Sequence, residues 1–161
     1  AIYLDPALFG LINQLAGEEL KECPKNDPHT YALYCYTEPG DHIGFHYDNS
    51  YYKGWRYTML LGLIDQSTSK LECDLYLHNP NRQTQRLSLA MRPGGLIFFN
   101  GDRLYHRVTP LGEGEERIAL TMEWVTDSRM NWFLRFVSNM KDSIAYFGFK
   151  AVLNRPSRKL S

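Results

Sequence analysis

Apolar positions along this chain change period twice. Leu8, Leu11, Ile12 and Leu15 recur at three- and four-residue intervals, the spacing of one helical face. Asp5 as an N-cap and Pro6 at the first helical position open that helix, which is predicted to run to about Leu20. Cys23 to Pro28 reads as a turn-rich connector. From Thr30 the runs become short and β-type. Strands are predicted near Tyr31–Thr37, Ile43–His46, Arg56–Ile64, Leu71–Leu77, Gln85–Ala90, Leu96–Phe99, His106–Thr109 and Arg117–Val125. Turn signals such as Glu38-Pro39-Gly40-Asp41 and Arg92-Pro93-Gly94-Gly95 separate most of them. About eight short strands at this spacing indicate a sandwich or barrel. After Thr126-Asp127-Ser128 the helical period returns through Trp132, Phe133, Phe136, Val137 and Met140, and the tail with Lys150, Arg155, Arg158 and Lys159 reads as a solvated end. One domain is expected over residues 1–161: an N-terminal helix and connector (1–29), a β core (30–126), and a C-terminal helix and tail (127–161).

Composition narrows the class. Of 161 residues, 43% are hydrophobic, enough to build a core rather than a disordered tail. Eighteen basic residues balance eighteen acidic ones, so no global field draws the chain to nucleic acid or anionic lipid, and neither is expected as a partner. Cys23, Cys35 and Cys73 lack metal-type spacing and are odd in number, which argues against a disulfide framework and a zinc knuckle. No apolar run approaches the roughly 20 residues of a membrane span, and the opening Ala1-Ile2-Tyr3-Leu4-Asp5 has no signal-peptide pattern. The default expectation is a reduced, cytoplasmic setting. The first residue is not Met, which leaves room for a segment upstream, and the sequence is silent on oligomeric state.

The chemistry concentrates in a few positions. His46-Tyr47-Asp48 puts an imidazole and a carboxylate two residues apart, on the same side of an extended chain. Alone, the tripeptide is equally a surface histidine and a turn aspartate. His106 follows sixty residues later, after the apolar run Leu96–Phe99. Two histidines and one carboxylate are the ligand set of non-haem Fe(II) oxygenases, although zinc accepts similar donors. In Arg117-Ile118-Ala119-Leu120-Thr121-Met122-Glu123-Trp124, strand alternation puts Arg117, Ala119, Thr121 and Glu123 on one face. Ile118, Leu120, Met122 and Trp124 take the other, as core beneath a helix. Small side chains beside a guanidinium suggest a concave pocket with a fixed cation that would hold a carboxylate bidentately. A surface arginine is the plainer alternative.

Together these residues resemble the Fe(II)/2-oxoglutarate-dependent oxygenases, in particular the prolyl-hydroxylase-like branch and, more faintly around residues 51–63, small enzymes that oxidise free amino acids. The resemblance spans about Tyr31 to Val125 and rests on His46 and Asp48, on His106 in a His-x-Val-x-Pro setting, on Arg117, and on Tyr36 ten residues before His46. It implies a mainly β fold with flanking helices, a double-stranded β-helix or jelly-roll barrel of cupin type. It further implies that His46, Asp48 and His106 ligate Fe(II) as the catalytic centre. Arg117 and Tyr36 would hold the far carboxylate of 2-oxoglutarate, with O2 as co-reactant and ascorbate as a reductant. The activity so implied is hydroxylation of an unactivated C–H, releasing succinate and CO2. A carboxylate at Asp48, where halogenating relatives carry a small residue, points to hydroxylation.

Two departures touch the substrate. The strand Leu71–Leu77 lacks the Gly-Gly pair that opens it in many prolyl hydroxylases, and Glu123 stands where they tend to carry an aromatic. Parity aims Glu123 inward. A buried carboxylate needs a cation, either a substrate ammonium or guanidinium, or a neighbour such as Arg56 or Arg107. Glu123, Arg56 and Val108 are accordingly expected at the substrate. The polar, aromatic stretch Asp48 to Arg56 is expected as a loop beside the metal, with Tyr51, Tyr52 and Trp55 either covering substrate or packing beneath it. The expected function is a dioxygenase acting on an amino-acid-like small molecule. A prolyl or other protein side-chain hydroxylase comes next, ahead of a non-catalytic β-helix binding domain and a nucleic-acid demethylase.

Overall fold

The computed structural model describes residues 2–24 and 27–129; the predicted C-terminal helix and tail lie outside the described residues, apart from their first positions. Helix α1 covers Pro6–Ala16 and starts as expected, with Asp5 accepting from the amides of Ala7 and Leu8 at 2.9 and 3.0 Å. It stops short of Leu20 because Gly17 adopts φ 71° and closes the last turn on the Asn13 carbonyl. Leu20 is nonetheless buried, its amide donating to Asn13 Oδ1 at 2.7 Å.

Nine strands follow: β1 (Lys21–Glu22), β2 (Tyr31–Tyr36), β3 (Ile43–His46), β4 (Arg56–Gln66), β5 (Leu71–Leu75), β6 (Gln85–Leu89), β7 (Leu96–Asn100), β8 (Tyr105–Val108) and β9 (Glu116–Val125). All eight expected strands are present. The two-residue β1 was not foreseen, since both its residues are exposed and polar and carry no alternation. β5 ends two residues early, where Tyr76 takes a left-handed φ of 62° with the Arg82 guanidinium 3.4 Å from its ring centre.

The strands form two antiparallel sheets. In one, β9 is flanked by β4 on one side and by β1 and β2 on the other, with β7 beyond β4; the second runs β3-β8-β5-β6. This is a double-stranded β-helix, its sheets facing each other across a core that includes Tyr36, Leu71, Cys73, Val108 and Leu111. The outer face of β9 and β4 carries a second core, in which Ile12 and Leu20 pack on Tyr57, Met59, Met122 and Trp124. Strand alternation thus divides β9 as expected, its even-numbered apolar residues under the helix side and its odd-numbered ones turned into the barrel. Among the described residues, no helix is long and apolar enough to cross a membrane.

Candidate metal centre

His46 and His106 are direct cross-strand partners in the β3–β8 ladder, which brings their rings to 4.3 Å between centres. The chain leaves β3 through Tyr47, and the Asp48 amide donates to the Gly101 carbonyl at 3.0 Å, turning the carboxylate back towards both rings. Asp48 Oδ1 lies 3.2 Å from His46 Nε2 and 3.6 Å from His106 Nε2. One ligand atom from each of the three falls within 4.8 Å of the others.

The surroundings fit these groups to a divalent metal. His46 Nδ1 lies 2.8 Å from the Gly44 carbonyl and His106 Nδ1 lies 2.9 Å from that of Leu104. A carbonyl only accepts, so both rings carry a proton on Nδ1 and turn Nε2 to the centre, where a metal would take the place of any proton that His46 shares with Asp48. Burial opposes the cationic form of His46, but Asp48 and the Gly44 carbonyl outweigh it and leave its pKa above the ordinary value. Burial dominates at His106, whose pKa falls below it. Burial also works against Asp48 as an anion, yet the two imidazoles and Thr58 hold its pKa below the ordinary carboxylate value. Anionic oxygen and neutral imidazole nitrogen are the donor set that Fe(II) accepts.

Deeper in the barrel, the cavity beside the triad reaches Arg117. Arg117 is 1% exposed. Its Nη1 donates to Ser69 Oγ at 3.3 Å, Tyr36 lies with its ring centre 5.7 Å from the guanidinium, and Nε is buried with no hydrogen-bond partner. A buried cation with an unused donor is a receptor for an anionic oxygen. The residues predicted from the motif spacing are therefore brought together, with Tyr36 buried against Arg117 and its hydroxyl pKa pushed up to about 12 by burial.

The 2OG-Fe(II) oxygenase superfamily profile matches residues 31–125. The chain belongs to this superfamily. Fe(II), 2-oxoglutarate and O2 are the reactants that membership implies. Among solved structures, the α-ketoglutarate-dependent epimerase SnoN from nogalamycin biosynthesis is similar at 15% identity and TM-score 0.58 over 77% of this chain and 54% of its own. A 2OG-Fe(II) oxygenase-family oxidoreductase from Burkholderia pseudomallei is similar at 13% identity and TM-score 0.57 over 81% and 57%. A prolyl hydroxylase from Trichoplax adhaerens, in complex with a hypoxia inducible factor peptide fragment, follows at 21% and 0.54 over 81% and 58%. At these identities the structural likeness is one of fold alone, and the chain spans little more than half the length of each. No curated protein sequence matches the chain.

Against the superfamily pattern, the residues expected at the substrate divide. Val108 is buried and lines the cavity, packed in the same cluster as Tyr36 and Leu71. Glu123 also lines it, but Arg56 meets it from behind, Nη1 to Oε2 at 2.8 Å off the hydrogen-bond direction. Arg56 does not line the cavity and is 4% exposed. Arg107, the other cation considered for Glu123, pairs instead with Glu72. Burial, reinforced by Asp48, Asp27 and Asp102, outweighs Arg56 and pushes the Glu123 carboxyl up to about 8. In the 48–56 stretch, Asp102 accepts from the amides of Ser50 and Arg56. Tyr52 is buried with Cys23 and Val125, whereas Trp55 is 44% exposed beneath the Arg103 guanidinium. His42 and His78 are exposed and stand apart from the triad.

Sequence reading missed Thr58, Ser69, Gly101 and Asp102. Only Thr58 carried a usable signal, since it shares inward parity with Arg56 and Leu60 on β4. The others act through turns and side-chain contacts that no local pattern encodes.

Proposed function

We propose that this protein is a hydroxylase that uses Fe(II), 2-oxoglutarate and O2 to oxidise a C–H bond of an amino-acid-like substrate. The observation that carries the reading is the convergence of His46, Asp48 and His106 beside a buried Arg117 with an unpaired donor. Bound iron with its co-reactants supplies the oxidising power, and the chain supplies position and dryness.

His46, Asp48 and His106 would hold the metal through one ligand atom each. Arg117 anchors the far carboxylate of 2-oxoglutarate, and Tyr36 supplies a neutral hydroxyl beside it. Leu60, Leu71 and Val108 wall the cavity with apolar surface and strengthen that charge pairing by excluding water. The cavity is narrow, at about 60 Å³. Glu123 remains the residue proposed to meet a substrate ammonium, whose charge together with Arg56 would draw the carboxyl into its ionised form, with Val108 contributing apolar contact.

Anaerobic addition of Fe(II) and then 2-oxoglutarate is expected to produce a visible metal-to-ligand charge-transfer band. In air, free amino acids and short peptides offered in parallel are scored by succinate release and product mass. Absence of both band and succinate leaves a binding domain. Turnover of peptides alone makes the substrate a protein side chain. Glu123→Gln is expected to raise KM for the substrate far more than KM for 2-oxoglutarate; equal effects leave Glu123 as no more than the partner of Arg56.

A further inference from the structure

The two oxygens of Asp48 have separate surroundings. Oδ1 faces both imidazoles, while Oδ2 accepts a hydrogen bond from Thr58 Oγ1 at 2.8 Å. Thr58 is 1% exposed, on β4 of the opposite sheet, so its hydroxyl is fixed by a strand rather than by the loop that carries Asp48. Gly101 closes the third side. A Cβ there would stand 2.7 Å from Asp48 Cβ and 3.0 Å from Thr58 Oγ1, so no side chain can separate the two.

We propose that Thr58 is a positioning residue that keeps Asp48 a one-oxygen ligand, reserving the other positions on the metal for the reactants. The inference rests on the reading of His46, Asp48 and His106 as the metal centre. A carboxylate free at both oxygens can turn and chelate a divalent ion through the pair, which would occupy a position the chemistry needs. The Thr58 hydroxyl engages one lone-pair direction of Oδ2 and fixes the plane of the carboxylate, so that Oδ1 alone points inward. Partners of metal ligands that act in this way are worth about 10- to 100-fold in metal affinity.

Three full-length proteins separate the possibilities: wild type, Thr58→Val, which keeps the shape and removes the donor, and Thr58→Ser, which keeps the donor. Anaerobic calorimetry measures Fe(II) affinity, and 2-oxoglutarate is then added to record the charge-transfer band. Thr58→Val is expected to change Fe(II) affinity about tenfold and to give a displaced or missing band, because a chelating Asp48 takes a position that 2-oxoglutarate needs. Thr58→Ser is expected to stay near wild type in both. Thermal unfolding of the metal-free proteins identifies a variant that does not fold, in which case Thr58→Ala takes the place of the valine. Equal Fe(II) affinity and an identical band in wild type and the hydroxyl-less variant overturn the role of Thr58 and leave the metal centre standing. Wild type that binds no Fe(II) overturns the metal centre and this inference with it.

Discussion

Glu123 is a carboxyl that folding prefers protonated. Its pKa rises from 4.5 to about 8, chiefly through burial, so the stability it lends is full below about pH 4.5 and lost as pH climbs through about 8. Metal-free wild type is therefore expected to weaken over that interval relative to Glu123→Gln, as measured by denaturant midpoints. The glutamine cannot ionise and leaves Arg56 to Asp27 at 3.7 Å, so its curve lacks the Glu123 titration. The thiols give a second residue-level expectation. Cys35 is exposed, whereas burial pushes Cys23 up to about 12 and Cys73 up to about 11. Iodoacetamide should label Cys35 in the folded protein and leave the other two until denaturant is added. At this scale, the residues proposed to hold metal and cosubstrate were legible through the family resemblance that His46, Asp48, His106, Arg117 and Tyr36 carry together. The partner of Glu123 was not, because the sequence offered both Arg56 and Arg107; Arg107, between the inward His106 and Val108 on β8, turns outward to Glu72, and β4 beside β9 brings Arg56.

Among elements, α1 shows what a single local signal can misjudge. Its apolar face continues in pattern to Leu20, and only the left-handed turn at Gly17 ends it. Gly17→Ala is expected to lower stability by about 1 kcal/mol, with iron and 2-oxoglutarate affinity unchanged, since α1 packs on the outer face of β9 and β4. Gly101→Ala should lower both stability and affinity. The added methyl meets Asp48 and Thr58, so Fe(II) affinity falls beyond what the roughly 1–3 kcal/mol of overpacking in the unfolding curve would suggest. The strands themselves were readable from alternation and turn residues, and β9 most clearly, because each of its faces meets a different environment. β1 was invisible because it owes its existence to the backbone of β9 rather than to its own side chains.

For the molecule as a whole, residues from both sheets surround one cavity, so filling it should brace the entire barrel. Fe(II) with 2-oxoglutarate is expected to raise the unfolding midpoint, by about 2.7 kcal/mol of stabilisation at one hundred times the dissociation constant. Arg117→Ala should abolish the increment due to 2-oxoglutarate and keep that due to metal. One irregularity in β3 bears on how such a barrel tolerates change. Ile43 pairs with Val108 and His46 with His106, so three steps on β3 answer two on β8. Excising Gly44 would restore an even ladder and leave both pairings intact, yet it would remove the carbonyl that His46 Nδ1 meets. The resulting chain would be smoother as a sheet and poorer as a ligand, with its imidazole free to spin and to carry its proton on either nitrogen.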